Sequence, residues 1–321
     1  MTARWVVTGA AGFIGSHVCD RLVGRGDAVI GIDNFDSLYS RTIKEQNLAG
    51  VAKAPGFRLL ELDCGTAAIP WDGVTGVLHF AAKPGVRPSL ENPGAYVTAN
   101  VTATAQVLDG ARRAGLTRVV LASSSSVYGN GTPAPFREDA MADTPISPYA
   151  ASKRGAELVA RAFAHLYGMR IACLRFFTVY GPRQRPDLAI HRFTRALATG
   201  AAIRMFGDGS TERDYTFISD VVDGTLAALD WTGRPGAAEA RVFNLGGGER
   251  VRLDRLIALI GGALGVTPRI ERAPAQPGDV DLTAADLSRS AAELGYRPRV
   301  AIEDGIRQFV TWYEGAYGRQ S

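Results

Sequence analysis

Apolar residues gather in short runs along the first half of the chain, at residues 4–8, 28–32, 58–62, 77–80, 118–122 and 170–174, and helical spacing returns between them. Runs of this length without polar alternation suit strands covered on both faces. Their alternation with helices predicts an α/β fold around a doubly wound parallel sheet. The longest helical stretches are 95–114 and 148–167. Past Gly181 proline-rich turns and shorter helical runs predict a smaller, mixed α/β part, with 213–229 returning to the first. The expected division is therefore 1–180 with about 213–245, and 181–212 with about 246–321. No fixed-period repeat or low-complexity tract is present.

Composition narrows the class without naming it. A chain of 321 residues with 46% hydrophobic content can bury one large core or two unequal ones. No apolar run reaches the ~18 residues of a membrane span, and the first residues enter a strand directly, so a cytoplasmic enzyme is expected. Cys19, Cys64 and Cys173 are odd in number and far apart, which predicts buried free thiols, and His17, His79, His165 and His191 form no ligand pair. No metal is expected. The net charge of +4 comes from arginines interleaved with acids, so a solvated surface is expected instead of a nucleic-acid face.

Chemistry enters at Gly9-Ala10-Ala11-Gly12-Phe13-Ile14-Gly15, between the first strand run and the helical stretch 13–22. Glycines let the backbone turn tightly and approach a pyrophosphate, which the helix N-terminus then favours electrostatically. Asp33 ends the second apolar run, where a carboxylate can accept adenosine ribose hydroxyls and repel the 2′-phosphate of NADP; NAD is the expected cofactor. The alternative for Asp33 is a cap on the turn Asp33-Asn34-Phe35-Asp36. Further on, Ser124 precedes the pair Tyr149 and Lys153. A phenol titrating near ~10 can accept a sugar hydroxyl's proton only if made more acidic, and a lysine one helical turn away is expected to supply the charge. Together these features predict hydride transfer.

The ordered set Gly9/Gly12/Gly15, Asp33, Asp63, His79-Phe80-Ala81-Ala82, Asn100, Ser123 to Gly129, Tyr149/Lys153 and Arg213-Asp214-Tyr215 resembles the extended short-chain dehydrogenase/reductases of the nucleotide-sugar epimerase and dehydratase family, nearly end to end. Gly85-Val86-Arg87, Ser89-Leu90-Glu91-Asn92-Pro93, Arg175-Phe176-Phe177-Thr178-Val179-Tyr180-Gly181-Pro182 and Arg185-Pro186-Asp187 resemble its UDP-glucuronate 4-epimerase subgroup. The resemblance implies a Rossmann-like sheet with a smaller UDP-sugar domain, and a homodimer through the helices at 95–114 and 148–167. It implies NAD contacts from Gly9, Gly12, Phe13, Ile14, Gly15, Asp33, Asn34, Asp63, Cys64, Ala81, Ala82, Lys83, Asn100, Tyr149 and Lys153. Lys83 departs from the Gln usual in the subgroup.

By the same resemblance Tyr149 would be the base, Ser124, in a loop after the fifth strand, would hydrogen-bond the reacting hydroxyl, and Lys153 would hold the nicotinamide ribose. The implied reaction oxidises C4 to a transient ketone with bound NAD and reduces it on the other face. Arg87 belongs to the implied substrate set, Arg213 would meet the UDP diphosphate, Phe206 the uracil, and Asp279 the uridine ribose, although Gln276 stands where relatives often have Arg. Thr178 and Arg185, with Ser125 and Ser126, resemble the set that handles a uronate carboxylate. Holding that group limits loss of carbon dioxide from a β-keto acid. Sugar 4,6-dehydratases carry Asp-Glu at the positions of Ser125 and Ser126, and decarboxylating relatives carry Glu at that of Ser126. A UDP-glucose/UDP-galactose 4-epimerase is the principal alternative, and an NAD-binding sensor without catalysis the remaining one.

Overall fold

The protein is described by a computed structural model covering residues 2–236, 238–274 and 282–318. Its strands are β1 (Arg4–Thr8), β2 (Ala28–Asp33), β3 (Phe57–Glu61), β4 (Gly76–His79), β5 (Arg118–Ser124), β6 (Arg170–Phe176), β7 (Thr178–Tyr180), β8 (Ile203–Phe206), β9 (Glu212–Phe217), β10 (Ala240–Leu245), β11 (Arg250–Arg252) and β12 (Ile270–Ala273). The helices are α1 (Phe13–Gly24), α2 (Arg41–Asn47), α3 (Val86–Glu91), α4 (Pro93–Val97), α5 (Ala103–Arg113), α6 (Pro148–Tyr167), α7 (Ala189–Ala198), α8 (Ile218–Thr232), α9 (Leu253–Leu264), α10 (Ser288–Leu294) and α11 (Ile302–Tyr317).

Seven strands form one parallel sheet in the order β10-β6-β5-β4-β1-β2-β3. Val6 and Val7 show why the runs are continuously apolar. Successive side chains point to opposite faces, and here Val6 enters one buried cluster with Val77, Val119 and Ile171 while Val7 enters another with Leu78, Val120 and Leu174. At the edge, β3 is largely exposed. The chain runs outward through β1, β2 and β3 and then back to β4, so the direction reverses between β1 and β4. A crevice opens there at the carboxyl ends of the strands, where ligands of such folds gather.

The six early runs all become strands of this sheet. Its seventh strand, β10, comes from 240–245, within the segment expected to return. Thr178–Tyr180 pairs with β9, which comes from the other segment expected in the larger domain, in a separate three-stranded sheet completed by β11, and β12 pairs with β8. One buried cluster runs on from the sheet through α8 to Ile257 in α9 and Phe309 in α11.

Helix α6 has the limits its sequence predicts, because Ser147 caps the Ala150 N–H at 3.1 Å, Pro148 opens the first turn and Gly168 closes the helix at φ +68°. The stretch 95–114 differs. It begins at Pro93, under the side-chain cap of Asn92, and residues Thr98–Thr102 form a π-helical turn between α4 and α5. Such turns bulge the backbone and are frequent at functional sites. This one carries Asn100.

Candidate active site

A cavity of about 880 Å³ lies in the crevice. At one end it is built from backbone. Gly9 has φ +70°, and a Cβ added there would stand 2.8 Å from the Ala81 nitrogen; one added at Gly15 would stand 2.1 Å from the Gly9 carbonyl oxygen. Only glycine fits either place. The first turn of α1, Gly12 to Gly15, faces the cavity with no acidic side chain in it, so its N–H groups and dipole present a positive pole suited to a diphosphate. A dinucleotide therefore fits the residues present.

Asp33 closes this end from β2. Its carboxylate accepts from Ala11 N at 3.0 Å and from Phe35 N at 2.8 Å, so the cap on the following turn and the place beside the glycine turn coexist. Buried Lys44 approaches it at 3.5 Å, an ion pair that no local pattern in the chain announces. Asn34 donates to Asp63 at 2.9 Å, and Asp63 accepts from Gly65 N at 2.8 Å. Cys64 lines the wall with its thiol pushed up to about 12 by burial, which leaves it inert. Cys19 and Cys173 are also free and buried. Ala81, Ala82 and Lys83 form the facing wall, and Lys83 Nζ reaches Asp36 at 2.7 Å, so the charge that departs from the subgroup is matched within the protein.

Under that wall the proton positions follow from the bonds. Thr104 donates to the Asn100 carbonyl at 2.6 Å, so it accepts from His79 Nε2 at 3.2 Å; His79 Nδ1 then accepts from Thr8 Oγ1 at 2.6 Å, and Thr8 accepts from Ala81 N at 3.2 Å. Burial lowers the His79 pKa to about 3, so the ring is neutral and Nδ1 is its acceptor. The chain ties β1, β4 and the π turn together. Asn100 does not reach the cavity itself; its amide holds both backbone groups of Lys83, at 2.7 and 3.0 Å, and donates to Ser152 at 2.9 Å.

Ser124, Tyr149 and Lys153 all face the cavity. Ser124 is the last residue of β5 and not a loop residue; its hydroxyl lies near enough to Tyr149 to act on its titration and accepts from Ser126 Oγ at 2.9 Å. The expectation that Lys153 makes the Tyr149 phenol more acidic is not met. Burial raises the phenol, and the Ser124 hydroxyl and the Arg185 charge only partly oppose it. Lys153 Nζ instead donates to the Ala122 carbonyl at 3.0 Å, and burial, partly offset by Glu157, lowers its pKa to about 8.

Glu157 is a residue the sequence reading missed. Burial alone would raise its carboxyl, yet Arg175 holds it low through bonds of 2.9 and 2.8 Å, and Ser123 donates to it at 2.6 Å. The signal was available: the buried residues of α6 are Ala150, Ser152, Lys153, Ala156, Glu157, Ala160 and Ala164, a surface of small side chains interrupted by two charges.

The other end of the cavity is built from side chains. Ser125, Ser126, Thr178, Arg185 and Arg213 line it. Arg185 lies close enough to Tyr149 to act on its titration, and Asp187 takes its Nε and Nη2 at 3.0 and 2.7 Å. Arg87 and Phe206 stand off the cavity wall, with the guanidinium of Arg87 5.7 Å from the ring centroid. Gln276 and Asp279 lie outside the described residues. Among the described residues no three His, Cys, Asp or Glu side chains are grouped to hold a metal.

Residues 5–246 match the model of the NAD dependent epimerase/dehydratase family. The chain is 38% identical over 314 residues to the UDP-glucuronate 4-epimerase of Thermodesulfobacterium geofontis (strain OPF15), covering 96% of this chain and 95% of that one. Its structure is similar to that of UDP-glucuronic acid 4-epimerase from Bacillus cereus in complex with UDP-glucuronic acid and NAD, with a TM-score of 0.92 and 33% identity across 98% of this chain and 100% of that one. It is also similar to DesIV, a dTDP-glucose 4,6-dehydratase from Streptomyces venezuelae with NAD bound, with a TM-score of 0.90 and 32% identity across 98% of each chain.

Proposed function

The chain belongs to the NAD dependent epimerase/dehydratase family, and from that premise we propose that it inverts C4 of UDP-glucuronate to give UDP-galacturonate, with NAD as cofactor. The observation that carries the reading is a single cavity joining the glycine turn to Tyr149 and Arg185. Cofactor turn, base and a carboxylate-binding guanidinium face one space.

NAD, when bound, supplies reversible hydride acceptance at C4. Gly9 to Gly15, Asp33, Asn34, Asp63, Ala81, Ala82 and Lys153 would hold it. Tyr149 Oη takes the proton from O4 while Ser124 Oγ orients the same hydroxyl, and after the sugar turns over Tyr149 returns the proton to O4 on the other side. Because burial raises the Tyr149 phenol in the protein alone, the base has to be activated in the loaded site. Arg185, with Thr178, Ser125 and Ser126, holds the carboxylate, and Arg213 meets the diphosphate. With hydroxyls at Ser125 and Ser126, the carboxyl groups that drive dehydration in relatives are absent.

We assign cofactor binding to residues 1–180 and about 213–245, and UDP-sugar binding to 181–212 and about 246–321. A homodimer is assigned to the faces of α4 and α6, where Val97, Leu158 and Leu166 are exposed at 51%, 49% and 65%. Three free buried thiols suit a reducing compartment, the cytoplasm.

The test is product identity. UDP-glucuronate should be converted to UDP-galacturonate without added reductant. A UDP-pentose as main product would make the enzyme a decarboxylase, no product would leave a binding protein, and faster turnover of UDP-glucose would move the assignment to the neutral hexoses.

A further inference from the structure

The segment between β7 and α7 brings Arg185 to the cavity, and two residues earlier its backbone is constrained. Arg183 has φ +64°, in the left-handed region that a non-glycine residue enters at a cost and keeps only when its surroundings hold it there. What holds it is α1. The Arg183 guanidinium is 2.7 Å from the Asp20 carboxylate and 3.4 Å from Ser16 Oγ, and the neighbouring Pro182 carbonyl accepts from His17 Nε2 at 2.9 Å. Gln184 turns back to the Val179 carbonyl at 3.1 Å. Ser16, His17 and Asp20 belong to the helix whose first turn faces the cofactor end, yet none of the three lines the cavity, and neither does Arg183.

Arg183 therefore touches no ligand in the cavity itself, and the cavity residue nearest to it along the chain is Arg185. We propose that Arg183, clamped to α1 by Asp20 and flanked by the His17–Pro182 bond, is a positioning residue that sets where Arg185 meets an acidic sugar. The preference for a uronate is then fixed on the cofactor helix. This rests on the reading, given above, that Arg185 binds the carboxylate. An ion pair to a partly exposed partner contributes modestly, so loosening the clamp shifts the population of correctly placed Arg185 and does not unfold the loop.

The experiment measures UDP-glucuronate and UDP-glucose affinity by calorimetry in NAD-loaded Tyr149→Phe protein, where bound sugar is not turned over. Asp20→Asn and Arg183→Ala should weaken UDP-glucuronate about fivefold and leave UDP-glucose within about twofold. Arg183→Lys should recover most of the loss. Arg183→Gly, which relieves the left-handed backbone and keeps the protein foldable, should still show the selective loss. In an Arg185→Ala background Asp20→Asn should add nothing, because the group it positions is gone.

If Arg185→Ala is selective for the uronate but the clamp variants are not, or their losses add in full to it, the positioning role is wrong and the carboxylate reading stands. Equal losses on both sugars from the clamp variants would reduce Arg183 to a fold contact. If Arg185→Ala fails to discriminate, the carboxylate reading falls and the positioning role with it.

Discussion

The two ends of the cavity are made differently. The cofactor end is backbone: a glycine turn that no Cβ can enter, the first N–H groups of α1, and the Ala81–Lys83 wall held by Asn100 and the buried Thr8–His79–Thr104 chain. The sugar end is side chain: serines after β5, Thr178 from β7, Arg185 from the next loop and Arg213 from β9. A backbone site is rigid and can be altered only by altering the fold. A side-chain site changes one substitution at a time, which explains how a dehydratase can share this frame with a TM-score of 0.90 while its chemistry differs.

The largest test of that contrast is Gly15→Ala. A single methyl placed 2.1 Å from the Gly9 carbonyl requires the turn to open, and we expect complete loss of NAD binding by fluorescence titration. Retained NAD affinity would show that the turn yields and that the cofactor end is no more rigid than the sugar end.

Next in size is Tyr149→Phe, which removes one oxygen from the shared boundary. NAD should still bind, and kcat should fall by about 10²- to 10⁴-fold, the usual contribution of a positioned acid–base group. Turnover near that of the unaltered protein would take Tyr149 out of the chemistry.

Acid should reach the support of the cofactor end through His79 and His17, and the packing of α7 on α11 through His191. His79, His17 and His191 have pKa values lowered to about 3, 4 and 4 from 6.5, chiefly by burial. Between these values and 6.5 the unfolded chain binds more protons than the folded one. Stability is therefore full above about pH 6.5 and falls as the pH drops, by about 1.4 kcal/mol per histidine per pH unit. Denaturant unfolding at pH 7 and pH 5 should differ by a few kcal/mol; a flat profile would mean that these rings are not held neutral.

The smallest effect sharpens a place where the cofactor end relies on a side chain instead of backbone. Asp33→Ala removes the charge that disfavours a 2′-phosphate and leaves buried Lys44 unmatched, so the NAD over NADP preference should narrow about tenfold. Lys44→Ala should widen it. If the unaltered protein binds NADP better than NAD, Asp33 has been misread.

The same contrast governs what could be read from the chain. Glycine spacing, continuous apolar runs and the Ser147-Pro148 start with Gly168 at the end of α6 are local signals, and they located the main sheet, the glycine turn and Tyr149 with Lys153. The electrostatics were not local. The phenol of Tyr149 is governed by burial and Ser124, the charge of Lys83 is matched by Asp36 from another loop, and Glu157 meets Arg175 across two elements. The π turn escaped because a one-residue bulge barely alters helical periodicity, although it decides where Asn100 points.

The late position of β10 carries a cost during synthesis. Strand β6 ends at Phe176, but the strand that covers its free edge is Ala240–Leu245, and α8, which packs against the same strands, precedes it only shortly. At roughly 5–20 residues per second, several seconds pass in which an apolar strand edge stands open on a nascent chain. Unpaired edges of that kind recruit other strands. A chain stopped before residue 240 is therefore expected to aggregate or be held by chaperones, although every residue of the cofactor end has by then been made, and it is the last sheet edge to be covered that limits escape from that state.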